Sequence, residues 1–142
     1  MKKTLIAAAT VAGLATAVHA EEKNLVTVVT SSDAQTQLMS MVLTMQAVQQ
    51  GAKARVLLCG PGGDIALKDA PASATAPQPP RDMSPQGLMQ KIIEAGAMIE
   101  VCAIYLPGAG VGPEALIDGV GVAKPPEMAG AMMADDTVVW SF

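Results

Sequence analysis

Residues 25–30, Leu-Val-Thr-Val-Val-Thr, form a short run rich in β-branched side chains, followed by Ser31, Ser32 and Asp33. Such a run fits a strand covered on both faces, and the polar triplet behind it fits a helix N-cap. Apolar positions then recur at helical spacing from Asp33 to Gln50, where Gly51 supplies a stop. Leu38, Met41, Val42, Met45 and Val48 form one stripe of that helix, and Met39 and Leu43 form a second. A helix apolar beyond one stripe is expected to be covered from two sides, which in a small domain implies a partner subunit. Ala54–Cys59 is the second predicted strand, broken by Gly60-Pro61-Gly62-Gly63. The Pro- and Ala-rich stretch 68–85 has no apolar period and predicts a long surface loop. Ser84-Pro85 opens a helix whose apolar face holds Leu88, Met89, Ile92 and Ile93, and Gly96 closes it.

The third strand is expected over Met98–Leu106, followed by a flexible turn from Gly108 to Gly112. A short helix over 113–117, a strand over 120–123, a helix from Pro125 to about Met133 and a last strand over 137–142 complete the pattern. Near-continuous apolar strands alternating with helices predict a three-layer α/β/α domain with a mostly parallel five-stranded sheet. In a flavodoxin-like order the first strand of such a sheet lies between the second and the third.

The opening twenty residues change what counts as the working chain. Lys2 and Lys3, a short apolar run from Leu5 to Val18, and Val18-His19-Ala20 together have the three parts of a secretory signal, with cleavage expected after Ala20. The run is too short for a membrane span, which takes about 20 apolar residues. The expected mature protein is residues 21–142, in the bacterial periplasm or secreted. Losing two lysines leaves seven basic side chains against thirteen acidic ones, a net charge of −6. That balance argues against nucleic acid, whose phosphates need a basic surface. The sole histidine, His19, leaves with the signal, and with it go Ser-His and Cys-His nucleophile pairs and His metal ligands. No cofactor and no metal centre are expected.

Further along, the residues carry a resemblance. Gly96-Ala97-Met98-Ile99-Glu100-Val101-Cys102 resembles the Val-Cys strand of the DsrE/DsrF-like (YchN-like) sulfur-relay family. Gly110-Val111, Leu116-Ile117 with Gly119-Val120, Pro126-Glu127-Met128-Ala129 and Ala134-Asp135-Asp136-Thr137 follow that family's C-terminal half in order, and Thr30–Ala34 is similar to its first turn. The resemblance implies a DsrE-like fold, a cysteine that carries persulfide sulfur, a sulfur donor or acceptor protein as partner, and assembly as trimers or hexamers. It places the sulfur-bearing role on Cys102. Secreted members often carry a Cys-Pro-Met-Cys-like segment here, whereas this chain has Cys102-Ala103-Ile104-Tyr105, with tyrosine at the second cysteine's place. Cys59 is an additional thiol with no counterpart in that pattern.

The chemistry leaves alternatives open. Cys102 is a reactive thiol only if exposed and near a helix N-terminus or a cation, for which Lys91 and Lys124 are the candidates; otherwise it is an inert buried cysteine in a non-catalytic oligomeric module. An oxidising compartment favours a Cys59–Cys102 disulfide. In a flavodoxin-like order, however, the two strands are two places apart, about 9–10 Å, beyond the roughly 7 Å limit for a bridge. Because serine and cysteine are close in size, Cys102→Ser is expected to leave the thermal melt within a few degrees. Ser31, Ser32 and Asp33, with Gly60, Gly62 and Gly63, are the turns nearest the expected switch point, and Gly108 and Gly110 follow Cys102. Backbone N–H groups at these places are candidates for a small-anion cradle. The methionines Met39, Met41, Met45, Met128, Met132 and Met133 have thioethers that suit Cu(I), but their helical spacing is better explained by packing.

Overall fold

The computed structural model describes residues 23–142. The expected signal peptide, residues 1–20, lies outside them. β1 (Asn24–Val29) leads through Asp33 into α1 (Ala34–Gln49), and β2 (Lys53–Leu58) runs into a 3₁₀ helix, Gly60–Ala66. After α2 (Ala72–Thr75) and α3 (Pro85–Glu94) come β3 (Met98–Val101) and α4 (Tyr105–Ala109). A 3₁₀ turn (Pro113–Ala115), β4 (Val120–Val122), α5 (Pro125–Met133) and β5 (Thr137–Ser141) complete the domain. The five strands pair in parallel throughout, in the order β4-β3-β2-β1-β5. The fold is therefore the α/β class with the parallel sheet that the strand pattern predicts.

The helix ends follow local chemistry. The Asp33 carboxylate accepts the Thr36 N–H at 2.8 Å and its hydroxyl at 2.9 Å, and these bonds hold that carboxyl below its ordinary pKa. Ser84 Oγ accepts the Gly87 N–H at 3.1 Å, with Pro85 at the first helical position, where a missing N–H costs nothing. One core lies between the sheet and α1 and α3, built on Val29, Met41, Val56, Leu58, Met89, Ile92, Ile99 and Val101. A smaller one lies under α5, around Val26, Leu57, Ala123 and Met128. Two of the helices thus cover one face of the sheet and a single helix covers the other.

The structure departs from the sequence pattern in four places. β3 ends at Val101, five residues early, where its partner β2 gives way to the 3₁₀ helix after Cys59 and the chain turns at Cys102 into α4; Pro107, which has no N–H for a ladder, sits inside that helix. The expected flexible turn is partly that helix, closed by Gly110 at φ +70°. The stretch 68–85 holds one helical turn, α2, with Ala74 buried, and an antiparallel bridge between Gln78 and Met83.

The third difference is the strand order. The crossovers through α1 and α3 step outward in one direction, so β2 lies between β1 and β3, and β1 does not lie between β2 and β3; only the return through α5 crosses to the other side of β1. The direction of the order therefore reverses between β1 and β5. The Ser31–Asp33 turn adjoins that switch point, where Thr30 N–H and hydroxyl both donate to the Phe142 carbonyl, at 2.8 and 3.0 Å. The Gly60–Gly63 turn follows β2, on the side of β1 away from β5, with Gly62 packed against Val29 and Thr30.

The fourth concerns α1. Its fully buried residues are Gln37, Ser40, Met41 and Thr44, a mostly polar stripe. Thr44 and Thr27 share a hydroxyl hydrogen bond of 2.8 Å across the helix–sheet contact, and Thr44 Oγ1 lies 2.8 Å from the Ser40 carbonyl. Leu38, Val42 and Met45 are half-buried beside it, while Met39 and Leu43 stand 51 % and 39 % exposed.

Candidate functional site

Because β2 and β3 are neighbours in register, with Leu58 opposite Val101, the next residue on each chain is a cysteine. The Cys102 N–H donates to the Leu58 carbonyl at 2.8 Å, which carries the ladder one residue past the strand. Cys59 and Cys102 are joined by a disulfide, with Cα atoms 5.1 Å apart, inside the range that a bridge requires. This corrects the separation expected from a flavodoxin-like strand order: neighbouring parallel strands lie about 4.8 Å apart, half the distance of strands two places apart. Both cysteines are half-buried, at the carboxyl edge of the sheet on the side of α5. Ligand sites of open parallel sheets lie beyond that edge.

The loops that carry the two sulfurs are tied together a second time. Tyr105 turns back over the loop after Cys59, and its hydroxyl donates to Asp64 Oδ1 at 2.7 Å. Its ring lies against Gly63, where any Cβ would overlap the Cε2 and Cδ2 atoms. Gly62 is equally constrained, since a Cβ there would run into the Val29 carbonyl. Burial, and then the Asp64 carboxylate, push the Tyr105 phenol well above its ordinary pKa of about 10, so it stays a donor through neutral and mildly alkaline pH. Asp64 has no motif to announce it, and Tyr105 stands out in the sequence only as the residue at the second cysteine's place, with no role attached. The available signal was the chain's single tyrosine placed three residues after Cys102 in a protein poor in aromatics.

The other expected site residues are placed less favourably. Ser31 Oγ accepts the Asp33 N–H at 3.0 Å and Asp33 caps α1, so both act within their own turn. Gly62 N–H donates to the Cys59 carbonyl at 3.1 Å. Gly108 and Gly110 N–H groups bond to the Ile104 and Pro107 carbonyls at 3.1 and 3.3 Å, inside and at the end of α4. Those three amides are already engaged within their own turns. Ser32 and Gly60 are exposed on the two loops, and Gly60 adopts φ +51°.

The two cations considered for Cys102 are engaged or remote. Lys124 pairs with Glu127 at 2.9 Å, and Lys91 lines a groove between α1 and α3. On the cysteine face of the sheet, Arg55 bonds Glu100 at 2.5 Å, and this bond raises the guanidinium's pKa further. Among the described residues no three His, Cys, Asp or Glu side chains come together as a metal-ligand set, and no helix is long and apolar enough to cross a membrane. A groove of about 670 Å³ opens at the opposite, amino edge of the sheet, around Lys53, Gly96 and Thr137, away from the disulfide.

The domain belongs to the class of three-layer α/β proteins with an all-parallel five-stranded sheet and a cysteine pair at its carboxyl edge. Among solved structures it is similar to the ychN protein from E. coli, with a TM-score of 0.67, 18% identity, and coverage of 85% of this chain and 99% of that one. It is also similar to MTH1491 from Methanobacterium thermoautotrophicum, a protein of unknown function, at TM-score 0.62 and 15% identity over 85% of this chain and 100% of that one. These likenesses establish the YchN-like fold. No protein-family model and no curated protein matches the sequence.

Proposed function

We propose that this protein is an exported DsrE-like sulfur carrier in which Cys102 bears the persulfide and Cys59 is its partner thiol. The observation that carries the reading is the Cys59–Cys102 pair at the carboxyl edge of a YchN-like sheet. The tyrosine at the second cysteine's place removes one dithiol arrangement, and the cysteine of the neighbouring strand supplies another. A disulfide as the resting form accords with an oxidising compartment and with the expected signal peptide.

The chemistry balances without an outside oxidant in the loading step. A hydrosulfide anion attacks Cys102 Sγ, the Cys59–Cys102 bond breaks, and Cys59 leaves as thiolate and takes up the proton. The incoming sulfur is oxidised to the sulfane level as the disulfide is reduced. An acceptor thiolate then removes the outer sulfur, leaving Cys102 as thiolate. Alternatively Cys59 attacks Cys102 Sγ, expelling hydrosulfide and restoring the bridge.

Intact-mass measurement of exported protein tests these steps together. The expected mass begins at Glu21, untreated protein takes up no iodoacetamide, and reduced protein takes up two equivalents, Cys102 first. Sulfide adds one sulfur atom to the oxidised wild type and none to Cys102→Ser. A sulfur mapping to Cys59, or no addition at all, overturns the assignment, and the second outcome favours an oligomeric binding module with inert cysteines.

The same reading includes self-assembly, as trimers or hexamers. Met39 and Leu43 are large apolar side chains left exposed on α1, which supports a covering partner. Light scattering at micromolar concentration is expected to give a multiple of the chain mass, and Met39→Lys with Leu43→Lys to reduce it. A monomeric wild type would refute this part.

A further inference from the structure

We propose that Tyr105 and Asp64 form a clamp that keeps Cys59 and Cys102 opposed when the disulfide is open, making Tyr105 a positioning residue for the pair. The inference rests on the sulfur-carrier reading only for what the pair is used for; the clamp itself rests on geometry.

Opening the bridge by any thiol or sulfide frees two loops, one running on from Cys59 through the four residues Gly60–Gly63 to Asp64, the other turning from Cys102 to Tyr105. The Tyr105–Asp64 hydrogen bond of 2.7 Å joins these same loops, and no redox step touches it. It is not an exposed contact: Tyr105 is 7 % exposed and packs in the main core. The spacing between bond and bridge is held by backbone. Tyr105 N–H donates to the Cys102 carbonyl at 2.9 Å, so the tyrosine and the cysteine share one turn. On the other loop, Cys59 N–H donates to the Val29 carbonyl at 3.0 Å and Gly62 N–H to the Cys59 carbonyl at 3.1 Å. Gly63 lets the ring lie flat on that loop because a larger residue would displace it.

Two ties between the same segments support one another. Whatever the hydrogen bond contributes to holding the loops in the bridged arrangement, the bridge contributes equally to the hydrogen bond, by linkage. The clamp therefore raises the effective concentration of Cys59 at Cys102, which both favours the disulfide and keeps the resolving thiol within reach of a Cys102 persulfide. Because the phenol is held protonated well above neutrality, the clamp works across the pH range in which thiolates form.

Tyr105 is the only tyrosine in the chain, so its ionisation can be read directly in the near-ultraviolet phenolate absorbance. In full-length mature protein the phenol is expected to titrate above the ordinary value in the oxidised form and again after reduction with a phosphine. Asp64→Ala is expected to lower that titration in both forms. In glutathione buffers, with no sulfide present, Tyr105→Phe is expected to shift the oxidised-to-reduced ratio of the pair about fivefold toward the dithiol, the size of one net hydrogen bond. Asp64→Ala should shift it likewise. A ratio unchanged within twofold in both variants overturns the clamp, as does a wild-type phenol that returns to its ordinary titration on reduction. If instead the variants lower the melting temperature of both redox forms equally with no change in the ratio, the tyrosine is only a core residue. Sulfur loading is measured separately, so a protein that fails to take up sulfide but keeps the glutathione shift retains the clamp and loses the carrier reading.

Discussion

Reduction of the Cys59–Cys102 bridge is expected to lower the melting temperature of the mature protein by roughly 10 °C. The two cysteines are 43 residues apart in sequence. Cross-linking a loop of that size removes denatured-state entropy worth about 4 kcal/mol in the chain-entropy account, and native bridges typically contribute about 2–4 kcal/mol. Side-chain size predicts a different result, because serine nearly replaces cysteine and a Cys102→Ser melt would then stay within a few degrees. The bridge decides the matter, since its loss acts on the unfolded chain and not on the volume of the site. Cys59→Ser, Cys102→Ser and the double variant should therefore melt at similar, lowered temperatures, and added reductant should bring only the wild type down to them. A wild-type melt insensitive to reductant would mean that the pair is unbridged in solution.

Gly62→Ala should be nearly as damaging, although it adds one carbon. The new Cβ would occupy the space of the Val29 carbonyl, and lie 3.1 Å from the Thr30 nitrogen. Neither is a side-chain tip that can swing away. Retreat of β1 there would break the Cys59 N–H bond to Val29, so overpacking is relieved only by loosening the turn that holds Cys59. A loss of about 3 kcal/mol is expected, at the upper end of small-to-large changes. Gly108→Ala is the matched control: it lies in α4 with open space around it. The same exchange there should be neutral or stabilise by up to about 1 kcal/mol, because alanine outranks glycine in a helix. Urea unfolding of the two variants side by side separates them. Equal stability for both would show that the Gly60–Ala66 turn yields at no cost.

Much of the architecture was legible in local pattern. The strands at Leu25 and Ala54, the helices capped by Asp33 and Ser84, and the proline-led helix at Pro125 stand within a residue or two of where composition puts them. Each is written by short-range chemistry: β-branched runs, a side-chain acceptor at an N-cap, a proline where no N–H is needed. The end of β3 was hidden because Met98–Leu106 is apolar throughout, and apolarity does not distinguish a strand from a buried turn and helix. The buried face of α1 is legible only in part, for a related reason. Hydrophobic spacing points to Leu38, Met41, Val42, Met45 and Val48, of which Met41 is fully buried and Leu38, Val42 and Met45 pack half-buried against the core. Yet the rest of the fully buried stripe is Gln37, Ser40 and Thr44, where small hydroxyl residues allow contact and bond Thr27 and backbone carbonyls.

Sequence by itself determined the alternation of strand and helix, and therefore a parallel sheet with Cys59 at the carboxyl end of the second strand; that Cys102 also stands at that edge followed only from the early end of β3. Whether the two sulfurs could meet was decided only by the order in which the strands lie side by side. That order depends on which way each crossover packs back onto the sheet, a choice made by contacts among residues far apart in the chain. With β2 beside β3 the cysteines face each other at 5.1 Å between Cα atoms, and Tyr105, which the sequence marks only as the residue at the second cysteine's place, comes to rest on Asp64. A bridge and a hydrogen bond between residues about forty positions apart exist because neighbouring parallel strands are one hydrogen bond apart and strands two places apart are not.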